Sequence, residues 1–231
     1  MILHSKPIAD STWRYLIQTL PELNWQMGPW IAGGSARKLW SGLEWHTGDV
    51  DLFFASGVQF AQFKNELEQK LMPRVQVSRN LWDLDHELFS ENKKIWFTAK
   101  THWLPHPDYQ AHMHMNTENA VTYVIYHKHR EQPYKLQLVK AQYTRSLPEL
   151  FDTFDFTVSC FAADAHEVRH TPQAAQDCVQ NKLTLLNLRK PENLPMRVLK
   201  HMAYGFDADV TLLKQVEHQI KSGHVSWQPE Y

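Results

Sequence analysis

The segment that most constrains this chain is Gly33-Gly34-Ser35-Ala36-Arg37-Lys38-Leu39-Trp40-Ser41-Gly42, followed by Asp49-Val50-Asp51. A short apolar run, Trp30-Ile31-Ala32, leads into it. Ser35 to Trp40 has helical composition, and Gly42 stands where a helix stop belongs. Two glycines between a strand and a helix let the backbone come close to a ligand and take up conformations that a side chain forbids. The helix start offers unpaired N–H groups and the positive end of a dipole, which suit phosphate, and Ser35 adds a hydroxyl. Asp49-Val50-Asp51-Leu52-Phe53-Phe54 alternates and then runs apolar, as in a strand burying one face. Residues i and i+2 of a strand point the same way, so Asp49 and Asp51 share a side next to the glycine turn. Paired carboxylates beside phosphate oxygens suit Mg²⁺ or Mn²⁺, and two such ions clamp both oxygens of an in-line displacement. A Gly-Gly pair alone is ordinarily a tight turn, and acids at strand ends are common. The spacing of the two segments is what carries the reading.

The remaining chain reads as a mixture of helices and strands. Residues 11–20 form a short amphipathic helix with Ser11 as N-cap, and residues 58–71 place Phe60, Phe63, Leu67 and Leu71 at helical spacing before Pro73. Arg74 to Val77 and Lys94 to Thr98 are strand-like, and Thr101 to Asn119 reads as a long loop. Ala120 to Tyr126 and Tyr134 to Val139 are rich in β-formers and are joined as a hairpin through His127 to Pro133. Ser146 caps a helix with Pro148 in its first turn, Phe156 to Ala162 reads as a strand, and Met196–Phe206 and Asp209–Ser222 are helical. The expected fold is therefore α+β: a mixed β-sheet flanked by helices over residues 1–165, with a helical C-terminal extension over residues 166–231.

The Gly-Gly-Ser turn into a helix followed by an Asp-x-Asp strand resembles the nucleotidyltransferase superfamily, which includes DNA polymerase β, poly(A) polymerases and CCA-adding enzymes. Gly33, Gly34, Arg37 and Gly42 fall in register with the CCA-adding signature, while Lys38 stands where that branch has an aspartate. Further segments, Gln137-Leu138-Val139, Ser146 to Phe156, and Arg197 to Phe206, are similar to nucleotidyltransferase-like proteins of large phages and giant viruses. The resemblance implies transfer of an NMP from an NTP to a hydroxyl on RNA, protein or a small molecule, with Mg²⁺ as cofactor and release of pyrophosphate. Gly33, Gly34, Ser35, Arg37, Arg197 and Lys200 would bind the nucleotide, and Asp49 and Asp51 the metal. The superfamily also implies a third carboxylate. Gln137 is a poor substitute for one, so Asp155 is the expected third ligand, with Asp152 and Asp164 as fallbacks. The alternative is a catalytically silent relative, a viral binding or interaction protein that keeps the scaffold.

Other features exclude more than they assign. Lys plus Arg number 24 against 25 Asp plus Glu, a formal charge of −1, which argues against a basic nucleic-acid coat but leaves room for a local basic patch. No apolar run reaches the roughly 20 residues of a membrane span. Two cysteines make no disulfide framework, so a cytoplasmic setting is expected. His102, His106, His112, His114, His127 and His129 invite a zinc reading, but no cysteine lies among them, and a polar loop is the preferred account. Cys160 reads as a buried strand residue. Trp40 and Trp45, at the exit of the glycine motif, read as core. The oligomeric state is left open.

Overall fold

The structure, a computed structural model, describes residues 1–71, 109–128, 130–223 and 225. Its centre is an eight-stranded sheet in the order β1-β8-β7-β2-β3-β6-β5-β4. The strands are β1 (His4–Pro7), β2 (Trp30–Ala32), β3 (Asp49–Phe54), β4 (Tyr109–Asn116), β5 (Ala120–His127), β6 (Tyr134–Tyr143), β7 (Phe161–Ala163) and β8 (Glu167–His170). Only β3 and β6 run parallel, and every other neighbouring pair is antiparallel. A small parallel pair, β9 (Lys182–Leu183) and β10 (Asp207–Ala208), lies apart. The α+β mixed sheet flanked by helices is present.

The helices are α1 (Trp13–Thr19), α2 (Gly34–Ser41), α3 (Gly57–Leu71), α4 (Leu147–Phe151), α5 (Pro172–Val179), α6 (Leu194–Ala203) and α7 (Val210–Lys221). Their ends follow local chemistry. Gly42 adopts φ 71° after α2, the left-handed stop that glycine permits. Ser146 Oγ accepts from Glu149 N at the start of α4, and Asp209 Oδ1 from Leu212 N at the start of α7.

Two apolar clusters hold the molecule. The larger surrounds the sheet: Val50, Leu52 and Phe54 of β3 are fully buried, and Phe54 meets Phe60 and Phe63 of α3 edge-on. Trp45, just before β3, stacks on Tyr134 and meets Trp13 edge-on, and its ring N–H donates to Asp10 Oδ2 at 2.9 Å. The smaller cluster joins Phe156 and Val158 to Leu183, Leu194, Val198, Phe206 and Leu212, and it seats α6 and α7.

Three sequence expectations change here. The strand expected over Phe156 to Ala162 is a 3-10 turn, Thr157–Ser159, followed by β7, because the chain turns to feed the small cluster before rejoining the sheet. The loop expected over Thr101 to Asn119 contains β4, where Tyr109, Ala111, Met113 and Met115 alternate with polar residues, a strand period set among mostly exposed side chains. Residues 101–108 lie outside the described residues, as do Arg74 to Val77 and Lys94 to Thr98. The main sheet also takes β8 from beyond residue 165, antiparallel to β7 and β1.

Candidate functional site

At the end of β2 the chain reaches Gly33, whose φ of 87° and ψ of −137° are poorly tolerated by any residue with a side chain. Gly33 N–H donates to Phe161 O of β7 at 2.9 Å, and its carbonyl accepts from Arg37 N at 3.0 Å, so the turn is pinned to the sheet as α2 begins. Ser35, in the first turn, is 2% exposed, and its Oγ is buried without a hydrogen-bond partner among the described residues. A buried hydroxyl left unmatched is uncommon in a finished interior.

Arg37 is more unusual. It is 5% exposed, and among the described residues no carboxylate pairs with it. Its Nη1 reaches Val158 O and His201 Nδ1, each at 3.5 Å, and the guanidinium lies over the rings of Phe206 (4.7 Å) and Tyr204 (5.9 Å). Burial holds its pKa below the ordinary arginine value. Neighbouring Lys38 donates to Thr47 Oγ1 at 2.6 Å, and burial and then the Arg37 charge hold its ammonium down as well.

Across the turn, β3 presents Asp49, exposed, and Asp51, half-buried with Oδ1 lacking a partner. Burial, followed by repulsion from Asp49, pushes the Asp51 carboxyl up to about 7, with Lys200 pulling the other way. In register, Asp51 stands opposite Ala32 of β2 and Gln137 of β6. Asp155 faces the same space but is already matched: its carboxylate, 8% exposed, forms an ion pair with Arg197 of α6. Its backbone carbonyl accepts from Leu186 N and Asn187 N at 2.6 and 3.2 Å.

Gly33, Gly34, Ser35, Arg37, Asp49, Asp51, Asp155, Arg197 and Lys200, singled out from the sequence, all line one cleft of about 990 Å³. Asp164 instead caps the β7–β8 turn, accepting from His166 N and Glu167 N at 2.7 and 2.9 Å, and Asp152 is exposed outside the cleft lining. Residues that sequence reasoning missed include Lys135, His201 and Tyr204. His201 and Tyr204 follow Arg197 at i+4 and i+7, a helical spacing that marks one face with the cation. Burial and the charges of Arg37, Lys200 and Arg197 push the His201 imidazole down to about 3, so it is neutral at physiological pH.

The acids do not compose the three-carboxylate set expected from the sequence. Gln137 is neutral, Asp155 is matched by Arg197, and Asp49 and Asp51 remain as a pair. Among the described residues no group of three or more His, Cys, Asp or Glu is placed to hold a metal ion. His112 and His114 are exposed on β4, and His127 is buried between Tyr15 and Tyr109. His102, His106 and His129 lie outside the described residues. Burial pushes the thiol of Cys160 up to about 12 and that of Cys178 up to about 11, away from thiolate chemistry.

A family model described as Gabija anti-defense 2 family protein matches residues 8–181. The chain belongs to the Gabija anti-defense 2 (Gad2) family. No curated protein and no solved structure matches it. Membership in Gad2 corrects the nucleotidyltransferase assignment expected from the glycine and Asp-x-Asp segments: no nucleotidyltransferase family matches, and the matched family is an anti-defence one. NMP transfer, nucleotide and ATP binding and metal binding, expected on the same ground, give way with it. The physical counterpart of that correction is the acid set itself, in which Gln137 and the Arg197-bound Asp155 occupy the places where a third ligand was sought. The Gad2 match ends at residue 181, so α6 and α7 lie beyond it. No helix among the described residues is long and apolar enough to cross a membrane.

Proposed function

We propose that this Gad2 family member is a viral interaction protein that counters the Gabija defence by binding one of its components in the host cytoplasm, with the cleft as the contact surface. The observation that carries this reading is the state of the cleft. Its acids are incomplete as a metal set, while Arg37 is buried without a counter-charge and Ser35 Oγ without a partner. A buried unmatched polar group costs free energy that a bound partner can recover, and here such groups stand beside an unpaired buried guanidinium in one cleft. The finer description of the sheet, a β2–α2–β3 unit with β6 parallel beside it, is read as a nucleotidyltransferase-type scaffold used for binding.

The test is capture. A tagged chain co-expressed with the Gabija components should retain a defence component through purification and should block the defence in an infection assay. Across variants of the cleft, capture and blocking should fall together. A variant that captures normally yet no longer blocks would overturn the binding reading, as would blocking with no component captured.

A further inference from the structure

The cleft differs from the rest of the molecule in charge. Over the whole chain, Lys plus Arg and Asp plus Glu nearly balance, at 24 and 25. Around the cleft stand seven Lys or Arg against three Asp. One of those acids, Asp155, is taken up by Arg197. Four of these cations come from two helices, Arg37 and Lys38 from α2 and Arg197 and Lys200 from α6, while Lys135 stands on β6 and Arg189 and Lys190 precede α6.

Resting on the reading above, we infer that the cleft captures an acidic segment of the partner protein, two or three neighbouring Asp or Glu side chains, and that α6 selects it. Arg37 supplies a buried guanidinium already oriented by the Phe206 and Tyr204 rings, so little further ordering is needed when a carboxylate arrives. Ser35, at the start of α2, also lines the cleft, and its Oγ lacks a partner among the described residues. Lys200 is exposed on α6, and Lys135 on β6, both at the cleft, where cations set approach and register. Asp49 and Asp51 face the incoming charge and would repel it. Asp51, whose carboxyl titrates near neutral pH, relieves that repulsion when protonated and then donates a hydrogen bond. His201, neutral, adds no charge of its own.

A protein segment fits better than nucleic acid. A phosphate backbone needs cations spread along a track, and binding to it is dominated by that continuous field. Here the formal charge is −1 and the cation excess is gathered in one concave space.

The test uses the full chain, a fluorescent hexaglutamate peptide, a hexaglutamine control, a single-stranded oligonucleotide, and ATP with Mg²⁺. Hexaglutamate should bind, compete with the captured defence component and weaken with added salt. Lys200→Glu and Lys135→Glu, both at exposed positions, should each weaken peptide binding and partner capture about tenfold with unchanged thermal stability. Equal binding of hexaglutamine, or binding of the oligonucleotide or ATP without hexaglutamate, overturns the inference. So does undiminished capture by both charge-reversal variants. If the unaltered chain captures no defence component at all, the interaction reading itself fails, whatever the peptide does.

Discussion

Asp177 and Asp51 both bury carboxylate oxygens, and they sit in parts of the molecule finished to different standards. On α5, Asp177 is fully buried and each of its oxygens is met: Thr157 Oγ1 donates to Oδ2, and Gln173 Nε2 donates to Oδ1 at 2.8 Å. In the cleft, among the described residues, Asp51 Oδ1 has no donor, Ser35 Oγ has no partner, and Arg37 has no carboxylate. A structural acid is placed where its hydrogen bonds close; an acid left open beside open cations is placed for something that arrives. Unmatched polar atoms also occur away from the cleft, as at Thr144 Oγ1 and Thr184 Oγ1, so it is their gathering beside a buried guanidinium in one concave space that sets the site apart.

The largest expected effect lies on the scaffold side. Asp177→Ala removes a fully buried side chain and leaves the buried Thr157 hydroxyl without its carboxylate acceptor, and should cost about 3 kcal/mol in urea unfolding. If it costs nothing, the contrast with the cleft collapses. Arg197→Gln should cost about 2 kcal/mol, because Asp155 is left nearly buried and uncompensated at a site that is partly open to solvent. Adding Asp155→Asn should return part of that loss, and a double-mutant cycle reads the coupling.

Asp51→Asn is expected to act in the opposite direction. The folded carboxyl titrates near 7 and the unfolded one near 3.8, so between those values the folded state binds more protons and stability falls as pH rises. At pH 8 the variant should therefore be more stable than the parent by on the order of 1–3 kcal/mol. His201 opposes this slope. Its folded value near 3 lies below the unfolded 6.5, so its contribution is lost as pH falls through that window. The Asp51 effect is thus read as the difference between variant and parent across pH 4 to 8, and equal pH profiles would count against an open carboxyl. The smallest change should come from Ser35→Ala, which removes a hydroxyl that bonds nothing and should stay within about 0.5 kcal/mol in stability. Its effect should appear in partner capture instead.

Much of the fold was legible because single residues settle local questions. Gly42 marks the end of α2, Ser146 the start of α4, and Asp49 to Phe54 run as β3. The β5–β6 hairpin follows from its β-formers. Short or edge elements were not legible. β1 exposes its side chains, so no face is written into its pattern; β4 carries an apolar–polar alternation, but its histidine-rich, mostly exposed composition reads as loop. The 3-10 turn at Thr157–Ser159 is apolar enough to read as strand, and only its place between two cores decides otherwise. The cleft's residues could be named from sequence because the glycine turn and the strand period place them locally. The Arg197–Asp155 pair could not, since it joins positions far apart in the chain. Nor could the family: the glycine and Asp-x-Asp segments report a local arrangement, and a local arrangement does not assign what the whole chain does.

The cleft has one wall inside the matched span and one outside it. Residues 8–181 supply seven of the eight strands of the sheet, the glycine turn and Asp155, while α6 brings Arg197 and Lys200 from beyond that limit. The Asp155–Arg197 ion pair, the Arg37–His201 contact and the smaller core, in which Phe156 and Val158 pack on Leu194 and Val198, stitch the two provinces at their seam. If the cleft binds as proposed, changing only the exposed positions of α6 would re-aim it while the eight strands stay untouched, a short evolutionary distance.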